Sequence, residues 1–261
     1  MRFVAHVHRG RHQPPLRRRT SNLCYTEAVI SIVLPTYKEA ENLPHVTRAI
    51  ADALAGRDWH YEILFVDDDS QDGSEEIGAK LAENNPVRVI VRRGERGLAT
   101  AVIHGIEASV GDVVVVMDAD LSHPASVIPE MVEHLRTGDS DFVLGSRYVE
   151  GGTVYDGWSL FRKLNSMIPS LLARPLCDLK DPMSGFFAVR RSDIPDSRRL
   201  SPIGYKVALE IFVKGNFQRA IEVPIHFADR QYGESKLTLK EQLNFLRHLV
   251  RLYRHKLGAP S

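Results

Sequence analysis

Asp118 and Asp120 stand one residue apart, with Ala119 between them, just after the run Asp112-Val113-Val114-Val115-Val116-Met117. Two carboxylates at this spacing can serve one hard cation through oxygen donors, and the small residue between them leaves room for a bulky ligand. Alternation of side chains along a strand would point both the same way. The chemistry this suggests is a metal and diphosphate site. Taken alone, an Asp-x-Asp pair serves equally well as a strand-to-loop turn whose aspartates accept backbone hydrogen bonds.

Other polar clusters favour the first reading. Pro35 to Glu39, Asp67 to Asp69 and Gly145-Ser146-Arg147 each follow a short apolar segment. Arg162 and Ser166 are four residues apart in a helical pattern, hence on one face. Arg230 and Lys236 flank Gly233, which suits a flexible cationic flap over an anion as well as a solvated basic loop.

These clusters need a scaffold, and the apolar pattern supplies one. Four consecutive valines suit a strand buried on both faces, because β-branched side chains fit a pleated ladder. Strands are expected from Val29 to Leu34, Tyr61 to Val66, Val87 to Val91 and Asp141 to Leu144. Between them the spacing predicts helices over Glu41 to Leu54, Ser74 to Glu83, Gly97 to Ser109 and Pro124 to Arg136, with Pro124 in a first-turn position. Strands alternating with helices give an α/β fold with a mostly parallel central sheet. Ligands of such sheets bind beyond the carboxyl ends of the strands, where the polar clusters fall. No Gly-x-Gly-x-x-Gly follows the first strand, which argues against a dinucleotide oxidoreductase, and there is no P-loop.

After Gly151-Gly152 the alternation stops. A helix over Trp158 to Ala173, which Pro169 kinks or ends early, is followed by the loop Asp181 to Phe187 and a short strand to Val189. A helix over Tyr205 to Lys214, one strand over Ala220 to Phe227 and a last helix over Leu239 to Lys256 complete the reading. That last helix mixes a leucine stripe with Arg247, Arg251 and Arg254, a pattern shared by packing helices and by helices that lie on a membrane surface.

Composition sets the outer limits. The 261 residues are 43% hydrophobic and 26% charged, an ordinary globular balance, with net charge +1. Charge is segregated: residues 1–28 and 236–256 are each +5, and the intervening 29–235 is −9. An acidic body does not suit a nucleic-acid partner, whereas basic ends suit an anionic membrane surface. Cys24 and Cys177 alone cannot build a disulfide scaffold. No apolar run approaches the roughly 18 residues of a spanning helix. The expected organisation is a disordered basic extension over 1–28, a catalytic domain over 29–237 and a basic amphipathic helix and tail over 238–261.

In order along the chain, ISIVLPTYKEAENL (31–44), EILFVDDDSQDGS (62–74), RGLATAVIHGIEASVGD (96–112), VMDADLSHP (116–124), GSRY with GG (145–152), DPMSGFF (181–187) and EVPIHFADRQYGESKL (222–237) resemble the inverting family 2 glycosyltransferases. Among these they look most like the dolichol- or polyprenol-phosphate mannosyltransferases. The resemblance implies a GT-A type nucleotide-sugar-binding fold and transfer of a hexose, mannose from GDP-mannose, to a polyprenyl phosphate. It implies Mg²⁺ or Mn²⁺ as cofactor, held by Asp118 and Asp120, with Ser122 where relatives often carry Gln.

By the same resemblance Pro35, Tyr37 and Glu39 hold the nucleoside, Val66 and Asp68 lie beside the base, and Ala119 lines the sugar-diphosphate site. Arg230 and Lys236 contact the donor diphosphate, and Arg147, Arg162 and Ser166 cradle the acceptor phosphate. The implied setting is peripheral, at the cytoplasmic face of a membrane, with room for a membrane-anchoring partner subunit. Another donor such as UDP-glucose, another acceptor, and a non-catalytic sugar-nucleotide-binding subunit remain open at this point.

Overall fold

The computed structural model describes residues 29–154, 168–200, 203–204, 206–228 and 239–258. Expectations for residues 1–28 and for the loop 229–236 lie outside the described residues. The first half alternates as its spacing predicts: β1 (Ile30–Thr36), α1 (Leu43–Leu54), β2 (Tyr61–Asp67), α2 (Ser74–Ala82), β3 (Val87–Val91), α3 (Leu98–Ala108) and β4 (Val113–Val116). The chain continues through α4 (Ile128–Thr137), β5 (Phe142–Ser146), β6 (Thr153–Val154), a helical stretch over 168–173 (α5), β7 (Phe187–Arg190), α6 (Val207–Lys214), β8 (Ala220–Pro224), β9 (His226–Phe227) and α7 (Leu239–Lys256).

Seven strands form one sheet in the order β3-β2-β1-β4-β7-β5-β8. All its pairings are parallel except those of β7, which runs antiparallel to both β4 and β5. The valine strand is central and covered on both faces. Val113 and Val115 enter the apolar layer beneath α1 and α4, while Val114 and Val116 enter the layer beneath α3, α6 and α7. Each fully buried valine is worth about 1.5–3 kcal/mol over exposure, so this register is strongly specified. Helix α3 lies close on the sheet because Gly105 has no side chain: a Cβ there would stand 2.4 Å from Val33 Cγ1 and 2.9 Å from Val66 Cγ2.

Three local expectations change. Pro124 precedes a 3₁₀ turn (Ala125–Val127), and α4 begins only at Ile128 with Pro129 in its first turn. Helix α5 runs through Pro169 to Ala173, so that proline does not end it early. The strand expected over Ala220 to Phe227 is broken at Ile225, and β9 pairs with β6 in a separate two-stranded sheet. Ile225 is 1% exposed and its N–H donates to the Ser146 carbonyl, so the chain changes sheets where that side chain turns into the core.

The topology defines a crevice. From β1 the chain winds through β2 to β3 on one side, then returns so that β4 pairs on the other side of β1. Loops leaving the carboxyl ends of β1 and β4 therefore diverge, which is where open α/β sheets receive ligands.

Candidate active site

Backbone strain marks this edge of the molecule. Among the described residues, the non-glycine positions with positive φ are Lys38 (60°), Asp69 (52°), Gln71 (56°) and Leu121 (62°), all in loops that follow β1, β2 or β4. Such conformations cost on the order of 1 kcal/mol or more each and persist where the surrounding structure over-determines them.

Over-determination is visible after β2. Asp67 accepts from the Ser70 N–H at 2.9 Å and the Ser70 hydroxyl at 2.5 Å, and that hydroxyl oxygen in turn accepts from the Lys38 N–H at 2.8 Å. Asp68 is buried and accepts two bonds from Arg92, through Nε at 2.8 Å and Nη2 at 2.5 Å. Its second oxygen accepts from the Gly97 N–H at 2.7 Å, which ties it to the N-terminus of α3. Gly97 has φ 146°, a conformation open to glycine, so the glycine before α3 is a structural requirement of this anchor.

The other predicted nucleoside contacts behave differently from one another. Tyr37 lies beneath the Arg96 guanidinium, 4.8 Å from the ring centre, and Glu39 accepts from Asn42 Nδ2 at 2.6 Å. The Val66 side chain is fully buried beside Val33 in the layer under α3, so it belongs to the core and not to the crevice.

The acidic pair is less symmetric than strand alternation predicts, because β4 ends at Val116 and the pair lies in the bend beyond it. Asp118 keeps a side chain 32% exposed and lines a cleft of about 110 Å³ with Pro35, His123, Arg147, Lys206 and Phe227. Asp120 is 4% exposed, and its Oδ1 accepts both the N–H of Ser122 at 3.1 Å and the Ser122 hydroxyl at 2.6 Å. Ser122 is itself fully buried, and its carbonyl accepts from the Ala228 N–H at 3.2 Å. Ala119 packs into the layer beneath α1 and α4.

Arg147, at the end of β5, enters the cleft as half of a buried pair. It donates to Asp181 through Nε at 2.7 Å, Nη2 at 2.8 Å and its backbone N–H at 3.0 Å. Burial pulls the guanidinium pKa down, but the bonds to Asp181 outweigh it and hold the value above the usual one. Asp181 is fixed in turn, since Glu222 accepts its N–H at 2.9 Å and that of Lys180 at 2.7 Å. The cleft therefore brings together Pro35, Asp118 and Arg147 of the predicted set. Arg162, Ser166, Arg230 and Lys236 lie outside the described residues.

Two cleft residues were not anticipated. His123 is 3% exposed, stacked on Phe186 with ring centres 5.2 Å apart and edge-on to Phe227 at 5.5 Å. Burial lowers its pKa, with the carboxylates of Asp118 and Asp120 opposing. The second, Lys206, is partly exposed as a residue, yet its ammonium is enclosed and donates to the Met183 carbonyl at 2.6 Å. A lysine at the opening of an apolar helix, where the helix dipole disfavours a cation, was the sequence signal for it.

The family model described as "Glycosyl transferase family 2" matches residues 31–196. The chain belongs to glycosyl transferase family 2. Three curated relatives of this glycosyltransferase are named dolichol-phosphate mannosyltransferase. That of Pyrococcus furiosus is 45% identical over 227 residues, 85% of this chain and 63% of that one. Those of Mycosarcoma maydis and Saccharomyces cerevisiae are each 40% identical and span 88% of this chain, and 80% and 88% of their own lengths. The chain thus spans less than two thirds of the archaeal relative's length and most of the fungal ones.

Among solved structures, glucosyl-3-phosphoglycerate synthase from Mycobacterium tuberculosis, in complex with Mn²⁺, UDP and glucosyl-3-phosphoglycerate, superposes with TM-score 0.62 over 90% of this chain and 81% of that one, at 20% identity. The family 2 chain has the GT-A fold.

Proposed function

We propose that this glycosyltransferase moves mannose from GDP-mannose to a polyprenyl or dolichyl phosphate with inversion at the anomeric carbon. The observation that carries this reading is the 40–45% identity to dolichol-phosphate mannosyltransferases over 85–88% of the chain. It is supported by a cleft at the β1/β4 crevice that holds a carboxylate and two cations, Asp118, Arg147 and Lys206.

The nucleoside lies against Pro35, Tyr37 and Glu39, with Asp68 holding the base-side loop through Arg92 and Gly97. The donor set beside the cleft fits a hard cation: Asp118 offers a partly exposed carboxylate, Asp120 a second, and the Ser122 hydroxyl adjoins it. Mg²⁺ usually takes one or two carboxylates with diphosphate oxygens and waters completing its shell, which suits this donor set. When bound, Mg²⁺ or Mn²⁺ neutralises charge on the departing diphosphate.

The acceptor needs positioning more than activation. A phosphomonoester loses its second proton near pH about 6, so at neutral pH it is already a nucleophile and needs no strong base. Arg147, oriented by Asp181, draws the anionic acceptor toward the donor against their mutual repulsion. Arg162 and Ser166 would complete the acceptor cradle, and Arg230 and Lys236 the donor diphosphate contacts. The acceptor oxygen attacks C1 from the face opposite the diphosphate. The bond from C1 to the diphosphate breaks, and the lipid-phosphate sugar is β-linked.

The site is brought to its lipid by a surface of α5 and α7. Ile168, Leu171 and Leu172 of α5 and Leu243, Leu246 and Val250 of α7 are exposed, and Tyr253 Oη joins the helices by donating to the Leu172 carbonyl at 2.7 Å. Exposed Arg174, Arg247, Arg251 and Arg254 rim this apolar surface, a composition that suits an anionic bilayer at the cytoplasmic face. Among the described residues no helix is long and apolar enough to cross a membrane. A membrane-anchoring partner subunit fits the same surface. The direct test of the reaction is product structure: proton NMR of the lipid product formed from GDP-mannose is expected to show a β-mannosyl phosphate, and an α-linkage would overturn inversion.

A further inference from the structure

Lys206 and Arg147 grip one loop from two sides. Arg147, leaving β5, holds the Asp181 carboxylate, and Lys206, at the start of α6, donates to the Met183 carbonyl two residues on. Both cations face the cleft that Asp118 also lines. The site as read from sequence uses Arg147 and leaves Lys206 without a task.

Three features of its position disfavour a cation, and the carboxylates of Asp181 and Asp118 offset them in part. The cleft lining mixes Asp118, His123 and Arg147 with apolar Leu98, Val102, Val207 and Phe227, and enclosing an ammonium beside the apolar groups is costly. Another cation, Arg147, is near enough to act on it. The N-terminal end of α6 presents the positive pole of the helix dipole. A phosphate in the cleft relieves all three. An ammonium has three donors, so Lys206 can keep Met183 and still donate to an ionised phosphate oxygen, a stronger acceptor than a neutral carbonyl.

We propose that Lys206 is a phosphate-binding residue of the acceptor subsite, closing with Arg147 on the phosphate of the incoming lipid. This rests on the transfer reading above and adds to it a cation outside the predicted site. It also links acceptor binding to proton uptake. Burial, with Arg147 adding to it and Asp181 and Asp118 opposing, brings the Lys206 pKa down to about 7. The ammonium is therefore present below that pH and lost above it. His123 also lines the cleft, and burial lowers its pKa. A bound phosphate favours the ammonium, so above pH about 7 binding takes up a proton and affinity falls by up to about tenfold per pH unit.

The test is calorimetric titration of the full chain, with GDP present, by farnesyl phosphate, farnesol and inorganic phosphate at pH 6.5 and 8.5, for the native protein, Lys206→Met and Lys206→Arg. Native protein is expected to bind farnesyl phosphate more tightly than either other probe, and more tightly at pH 6.5 than at 8.5. Lys206→Met should lose about tenfold at pH 6.5 and little at 8.5, while Lys206→Arg keeps its affinity at both. Unchanged affinity in Lys206→Met, or a loss that appears in GDP binding instead, overturns the assignment. Equal affinity for inorganic phosphate overturns the lipid acceptor as the ligand. Lys206-dependent binding of farnesyl phosphate without any sugar transfer would sustain the subsite and count against the transfer reading alone.

Discussion

The backbone N–H of Asp118 donates to Nδ1 of His123 at 3.0 Å, which fixes the imidazole as its Nε2–H tautomer and ties the cleft carboxylate to the stack of His123 on Phe186. A protonated ring would set two N–H groups against each other. His123 is thus a neutral strut whose task is to hold the loop that carries Asp118.

The strut has a pH signature. Its folded pKa lies below the ordinary value, so on acidification the unfolded chain takes up the proton first. Stability from this group is present above about pH 6.5 and declines as pH falls from there toward the lowered folded value. Urea unfolding should give a lower midpoint at pH 5.5 than at 7.5, and His123→Phe should narrow that difference. The same variant leaves the Asp118 N–H without its acceptor, at a cost of about 1–3 kcal/mol at pH 7.5.

Arg147 and Asp181 form a buried pair with side chains 9% and 0% exposed. Removing one partner of such a pair leaves an uncompensated charge, typically costing about 3–5 kcal/mol. Asp181→Ala should therefore lower the denaturant midpoint strongly. Asp181→Asn, which keeps one of the two acceptor oxygens, should lie between it and the native protein. Equal midpoints for all three would mean that the pair does not anchor the cleft.

Asp118 and Asp120 should separate in their effects. Asp118 is partly exposed and packs little, so Asp118→Asn should leave unfolding unchanged and lower kcat by about 100-fold or more, the scale seen when transition-state charge stabilisation is lost. Asp120→Ala should abolish transfer with the fold intact, at a stability cost of about 1 kcal/mol from the lost Ser122 bonds. Transfer retained by Asp120→Ala in saturating Mg²⁺ would remove it from the site.

Helix α7 packs on one face and leaves apolar residues exposed on another. Phe245, Leu249 and Leu252 bury one face against the core, while Leu243, Leu246 and Val250 face outward. Replacing the outward three by Gln should release the protein from phosphatidylserine vesicles in co-sedimentation and spare turnover of a short, dispersed acceptor. A parallel loss of secondary structure would show instead that this face packs internally.

The alternating half of the chain was legible because one signal, an apolar strand followed by a polar turn and an amphipathic helix, repeats locally from β1 to β5. The insertion of β7 between β4 and β5 left no such trace, since an antiparallel partner with Ala188 opposite Val115 and Val143 is chosen by tertiary packing. The acidic pair was found from its spacing, but its asymmetry was not, because the strand stops two residues before Asp118 and alternation no longer governs. His123 and Lys206 act through partners 5 and 23 residues away. Only the folded loops after β4 and before β7 bring those partners together.

The central claim is most directly tested by incubating the protein with a short polyprenyl phosphate and labelled GDP-mannose or UDP-glucose, each with Mg²⁺ and with EDTA, and counting chloroform-soluble label. The account predicts lipid-bound label from GDP-mannose alone, lost with EDTA. Label from UDP-glucose and none from GDP-mannose would contradict the donor, and no lipid-bound label from either would contradict transfer to a lipid phosphate by this chain.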